Sequence, residues 1–98
     1  MKIPTSVRVG RSNYDVEMTD NLPPRIRGRA LLGVRVIQLN PVNLRKRPRT
    51  EEELRETFWH ELTHAILAEM DNPLFKNEAF VTKFAKHLHT AINSARFE

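Results

Sequence analysis

His60, Glu61 and His64 form an H-E-x-x-H stretch inside a helical pattern. Residues four apart on a helix lie one above the other, with Cβ atoms about 6 Å apart, so both imidazoles can face one point. Two neutral imidazoles at about 2.0–2.1 Å are what a zinc ion requires of such a pair. Glu61, rotated one position toward the same side, can reach a water on that metal. Zinc lowers the pKa of its water toward about 7, and a neighbouring carboxylate can then take the proton to generate a nucleophile. The plainer alternative is two surface histidines flanking a solvated glutamate; the helical context favours the metal.

A catalytic zinc keeps three protein ligands and one open position for water. The sequence has no cysteine, so the third ligand must be a histidine or a carboxylate. Glu78 opens the next helical pattern, on a face that can meet the first helix. Asp71, His87 and His89 compete with it. Asp71 also suits a helix end, the two histidines suit a solvated face, and Glu78 itself suits the positive end of a helix dipole.

The helix that must carry the motif begins at a capping box, with Thr50 as N-cap and Glu53 at N3. Glu51, Glu52 and Glu53 complement the dipole there, and the pattern runs to about Met70. Leu54, Phe58, Leu62 and Ala65 form one apolar stripe; Trp59, Ile66 and Met70 form a second. Apolar residues on two sides predict a helix packed on two sides, the hub of the fold. The histidines and Glu61 lie beside the first stripe, on an edge shared with Thr57 and Ala68. Asp71-Asn72-Pro73 breaks the helix. Phe80, Val81, Phe84, Ala85, Leu88, Ala91 and Ile92 then recur at helical spacing to about Ala95, and the short connection predicts an antiparallel neighbour.

Ahead of the helices, residues 6–9 and 14–18 alternate around a turn containing Gly10, which reads as a β-hairpin burying Val7, Val9, Tyr14, Val16 and Met18. Pro23-Pro24 excludes regular structure. Residues 28–32 and 34–39 read as a second strand pair hinged near Gly33. Val34, Val36 and Gln38 share one face and Arg35, Ile37 and Leu39 the other, so the second strand is central or lies against a helix. The expected fold is α+β: a small N-terminal antiparallel sheet of two hairpins packed on two C-terminal helices.

At 98 residues the chain makes one domain, and its 40% hydrophobic and 29% charged content is that of a globular protein. Residues 1–5 carry no signal-peptide core and no apolar run spans a bilayer, so a soluble cytoplasmic protein is expected. The net charge of +4 weakly favours acidic partners. The basic stretch 44–49 offers a small nucleic-acid contact, but no aromatic residue is interleaved for base stacking, and a solvated connector explains it better.

The His60-Glu-Leu-Thr-His64 motif, followed by Asn77-Glu78-Ala79-Phe80-Val81-Thr82-Lys83-Phe84-Ala85, resembles the ImmA/IrrE-like zinc metallopeptidases, in particular the small versions carried by phages and other mobile elements. The likeness spans roughly residues 52–92. It implies a minimal zincin-like metallopeptidase domain over residues 1–98 with one zinc ion, His60, His64 and Glu78 as ligands, and Glu61 as general base. Members of that family often act on transcriptional repressors, which makes a repressor or another protein or peptide the implied substrate. Leu67 and Met70 stand where a metzincin needs glycine and histidine.

Two functions compete. In a zinc-dependent peptidase, Glu61 activates the water and hands its proton to the leaving amine, while substrate binds as an extra strand on an exposed sheet edge. No Tyr, His or Arg stands out as a further oxyanion donor. In a non-catalytic module, zinc staples a small domain that binds a protein or nucleic acid. Such a module has no need of Glu61. A metal-free interaction domain is the least favoured reading.

Overall fold

The computed structural model describes residues 2–97. Alternation at the N-terminus produces β1 (Ser6–Val9) and β2 (Ser12–Met18), an antiparallel hairpin that turns at Gly10, where φ is +60° and glycine is favoured. The second hairpin joins β3 (Gly28–Leu31) to β4 (Val36–Leu39), again antiparallel. The strand order is β1-β2-β4-β3, and β2 pairs with β4 in parallel. The sheet is therefore mixed, not antiparallel throughout as the two hairpins alone suggested. Residues 19–27, anchored by buried Leu22, carry the chain to the far edge, and β4 returns into the slot beside β2.

The alternating patterns identify the inner face but overstate its extent. Val9, Tyr14, Ile37 and Leu39 are buried and pack with Phe58, Leu62 and Ala65; Val7 and Val16 lie against this cluster. Met18, expected inside, is exposed at the end of β2. β4 starts at Val36 rather than Val34, because residues 32–35 form the turn: Val34 is exposed and Arg35 takes a left-handed φ of 57°.

α1 (Glu51–Glu69) starts at the expected capping box, with Thr50 accepting from the Glu53 N–H and the Glu53 side chain accepting from the Thr50 N–H. Its first stripe packs on the sheet. Of the second, Trp59 lies against the core, but Ile66 and Met70 are exposed and Leu67 is buried instead. A 3-10 turn over Pro73–Lys76, absent from the sequence reading, connects to α2 (Glu78–Ser94). α2 packs on α1 and buries Val81, Ala85 and His89, whereas Phe84 and Ile92 remain exposed. Glu78 meets His60 and His64, while His89 lies 3.6 Å from Glu52, so the two helices run in opposite directions. Among the described residues no helix is long and apolar enough to cross a membrane.

The far end of α1 is tied to the sheet through Glu69. Tyr14 donates its hydroxyl to Glu69 Oε2 at 2.7 Å, Ser12 donates to Oε1 at 2.7 Å, and Arg35 Nε lies 3.5 Å from Oε2. Burial, reinforced by the hydrogen bond to Glu69 and its charge, pushes the Tyr14 phenol up to about 12. Folding thus favours the protonated phenol. The associated stability is fully present below the unfolded value of about 10 and is lost as pH rises from there to about 12. Tyr14 is the only tyrosine in the sequence, so its ionisation can be followed directly by tyrosinate absorbance. The native protein should titrate near 12; a midpoint near 10 contradicts the buried bond. Tyr14→Phe should cost about 1.5 kcal/mol at neutral pH and should lose less further stability between pH 10 and 12 than the parent.

Candidate metal centre

α1 presents His60 and His64 on one face, with ring centroids 5.0 Å apart. The connecting turn and the Asn77 cap of α2, whose side chain accepts from the Phe80 N–H, deliver Glu78 to that face. Glu78 Oε2 lies 3.1 Å from His60 Nε2, and Oε1 lies 2.8 Å from His64 Nε2. One donor atom from each residue falls within 4.8 Å of the others, so the three can hold a metal ion. Ligand atoms at about 2.0–2.1 Å from a tetrahedral centre stand about 3.3 Å apart, close to both histidine–glutamate separations.

The surroundings suit that use. His64 Nδ1 lies 2.7 Å from the Phe75 carbonyl and donates its proton there, which leaves the Nε2 lone pair directed at Glu78. Burial lowers the pKa of His60, with the charge of Glu78 pulling the other way. The neutral imidazole it favours is the ligating form. Asp71, His87 and His89 do not join the group. Asp71 ends α1 with φ at 53°, and His87 is exposed with Nδ1 2.9 Å from the Lys83 carbonyl. His89, expected on a solvated face, is buried between Glu52 and Asn93.

Glu61 is buried, only 7% exposed, and borders the same grooves as His60. Burial pushes its carboxyl up to about 7; the charge of His64 opposes this, the charge of Glu78 adds to it, and the nearby Ala30 backbone lowers it again. The strand order leaves β3 at a free edge of the sheet, and Gly28, Ala30 and Glu61 border the same groove. Arg27 O accepts from Asn40 N at 2.7 Å, so in the antiparallel ladder Arg29 and Leu31 turn their backbone groups toward β4. Gly28 and Ala30 turn theirs outward, to the side of Glu61.

Two grooves meet along this edge. One, of 360 Å³, is bordered by Ala30, Leu32, His64, Phe75 and Glu78. The other, of 550 Å³, runs past His60 and Glu61 toward Arg25, Thr57 and Lys86. Arg49 fixes β3 beside α1. Its buried guanidinium donates to the carbonyls of Arg27 (3.1 Å), Asn40 (2.8 Å) and Glu53 (3.2 Å) and to the Thr57 hydroxyl. Burial lowers the Arg49 pKa. The basic stretch read as a solvated connector therefore ends in a buried structural residue. The Ala30 backbone and Phe75 carbonyl had no side-chain signal in the sequence by which to be found.

No protein-family model, curated protein or solved structure matches the chain.

Titrated with zinc as a probe metal, the parent should bind, and His60→Ala and His64→Ala should each lose binding by at least about tenfold. Glu78→Gln should weaken it strongly, while Asp71→Asn and His87→Ala should match the parent. Parent-like binding by Glu78→Gln together with loss in Asp71→Asn removes Glu78 from the set. Gly28 offers a separate check on the edge, since a Cβ there would meet Thr57 Cγ2 at 2.7 Å and the Gln38 carbonyl at 2.9 Å. Gly28→Ala should destabilise the fold by about 1–3 kcal/mol in chemical denaturation; unchanged stability contradicts that packing.

Proposed function

We propose that this chain is a zinc-dependent metallopeptidase, a single zincin-like domain over residues 1–98 of the ImmA/IrrE-like kind, with one zinc ion per chain. The observation that carries the reading is a juxtaposition: His60, His64 and Glu78 converge beside Glu61 in a groove bordered by the edge strand β3. Two histidines and a carboxylate suit a hydrolytic zinc with an open position. A purely structural site has no use for a buried carboxylate next to its ligands.

His60, His64 and Glu78 would hold the zinc, which when bound would supply a Lewis acid for the scissile carbonyl and the attacking water. Glu61 accepts the proton of that water on a carboxylate oxygen and delivers it to the leaving amine. His64 is held in the ligating tautomer by the Phe75 carbonyl. The outward N–H and C=O groups of Gly28 and the outward carbonyl of Ala30 pair with an extended substrate, which fixes its carbonyl beside Glu61. A transcriptional repressor remains the substrate that the family likeness suggests.

Purified protein should carry about one zinc per chain by metal analysis. Glu61→Gln should keep its zinc and fold yet hydrolyse peptides about 10²–10⁴-fold more slowly, measured against a peptide library with chelator-treated parent as control. Chelator-sensitive cleavage at the parental rate in Glu61→Gln removes Glu61 as the base. Specific partner binding without cleavage of any peptide favours a zinc-stapled binding module.

A further inference from the structure

The cleft along β3 is electrically lopsided. Beyond His64 it is bordered by Leu32 and Phe75, with Lys76 lying over the Phe75 ring at 5.4 Å. In the other direction, the 550 Å³ groove shares Arg25, Ile26 and Arg27 with a further groove of 450 Å³ that reaches Arg45. The two make one trough starting at His60 and Glu61. Arg25, Arg27, Arg45 and Lys86 border it, against Glu53 and Glu56. All four cations are exposed, and among the described residues none has a salt-bridge partner. Glu53 is committed to the Thr50 cap. The charge of Arg27 reaches far enough into the trough to act on both Arg49 and Glu53.

We infer that the trough selects an extended peptide segment that is acidic on one side of the scissile bond. Its backbone pairs with Gly28 and the Ala30 carbonyl, and its carboxylates are met by Arg25, Arg27 and Arg45. The inference rests on the peptidase reading for the position of the scissile bond. A peptide fits better than a nucleic acid because the free edge of β3 offers main-chain hydrogen bonds to a strand. Among the described residues the trough is lined by no Phe, Tyr or Trp on which bases could stack, and His60 at its end is a candidate metal ligand. Concentrated, unpaired positive charge accelerates encounter with acidic chains and makes binding sensitive to salt.

The test separates recognition from hydrolysis. Zinc-loaded Glu61→Gln protein is titrated, by fluorescence anisotropy at low salt, with a labelled extended peptide rich in glutamate and with its glutamine counterpart. The glutamate peptide should bind about tenfold more tightly, and added salt should erase the difference. Arg25→Glu combined with Arg27→Glu should abolish the preference while leaving zinc content and circular dichroism unchanged. With the parent protein, cleaved library peptides should be enriched in Asp and Glu on one side of the cut only. Cleavage without acidic enrichment, or equal binding of the two peptides, overturns the inference and leaves the peptidase reading standing. A glutamate preference that depends on Arg25 and Arg27, with no cleavage of any peptide, upholds the trough's selectivity and removes the peptidase reading. Tighter binding of a single-stranded oligonucleotide that displaces the peptide overturns the inference in favour of nucleic acid.

Discussion

The guanidinium of Arg49 joins three parts of the chain by hydrogen bonds. It holds the carbonyl of Arg27 leading into β3, that of Asn40 leaving β4, and the Glu53 carbonyl and Thr57 hydroxyl in the first turns of α1. A buried cation needs its donors satisfied, and here carbonyl dipoles satisfy them without a carboxylate partner. The consequence is geometric. An edge strand has only one neighbour in the sheet to set its position, and β3 is one of the two edges. Arg49 locks its entry to the same helix that carries His60, Glu61 and His64. The register of β4 against β3 then fixes which backbone groups turn outward toward the site.

The same economy governs the metal centre. Each of its members is held by a local device: the helical period sets His60 against His64, the Phe75 carbonyl orients one ring, and the Asn77 cap starts α2 at Glu78. Glu78 is exposed and Glu61 buried. The exposed carboxylate has room to meet an ion, whereas the buried one sits in a setting whose polarity the protein controls. Two glutamates of identical chemistry are thereby separated by environment alone.

The sequence made the helical half legible because its signals are local. The Thr50 capping box, the i, i+4 spacing of the histidines and the Asn72-Pro73 break all act within one or two turns, and each is where it was expected. Glu78 was legible only as one candidate among four, since its proximity to the histidines depends on how two helices pack. Tertiary cover was the recurrent blind spot. Periodicity says which face Met18, Ile66, Phe84 and Ile92 occupy but not whether anything lies over that face. His89 shows the converse, a polar residue buried by packing that composition cannot foresee. The parallel β2–β4 pair was hidden for a further reason: hairpins are written in their turns, but the insertion of β4 between β2 and β3 is a choice of topology over residues 19–27.

The three side chains that could hold a metal come from two helices whose mutual packing is also part of the folded state. An unfolded chain scatters them, so an ion held by all three is held by the native form alone. Mass action then couples metal supply to survival of the fold: free ion at 100 times its dissociation constant would add about 2.7 kcal/mol. For a chain of this size that is a large share of the whole margin against unfolding. Through the pairing of Glu78 with α1, the abundance of intact protein would become a gauge of the free metal around it.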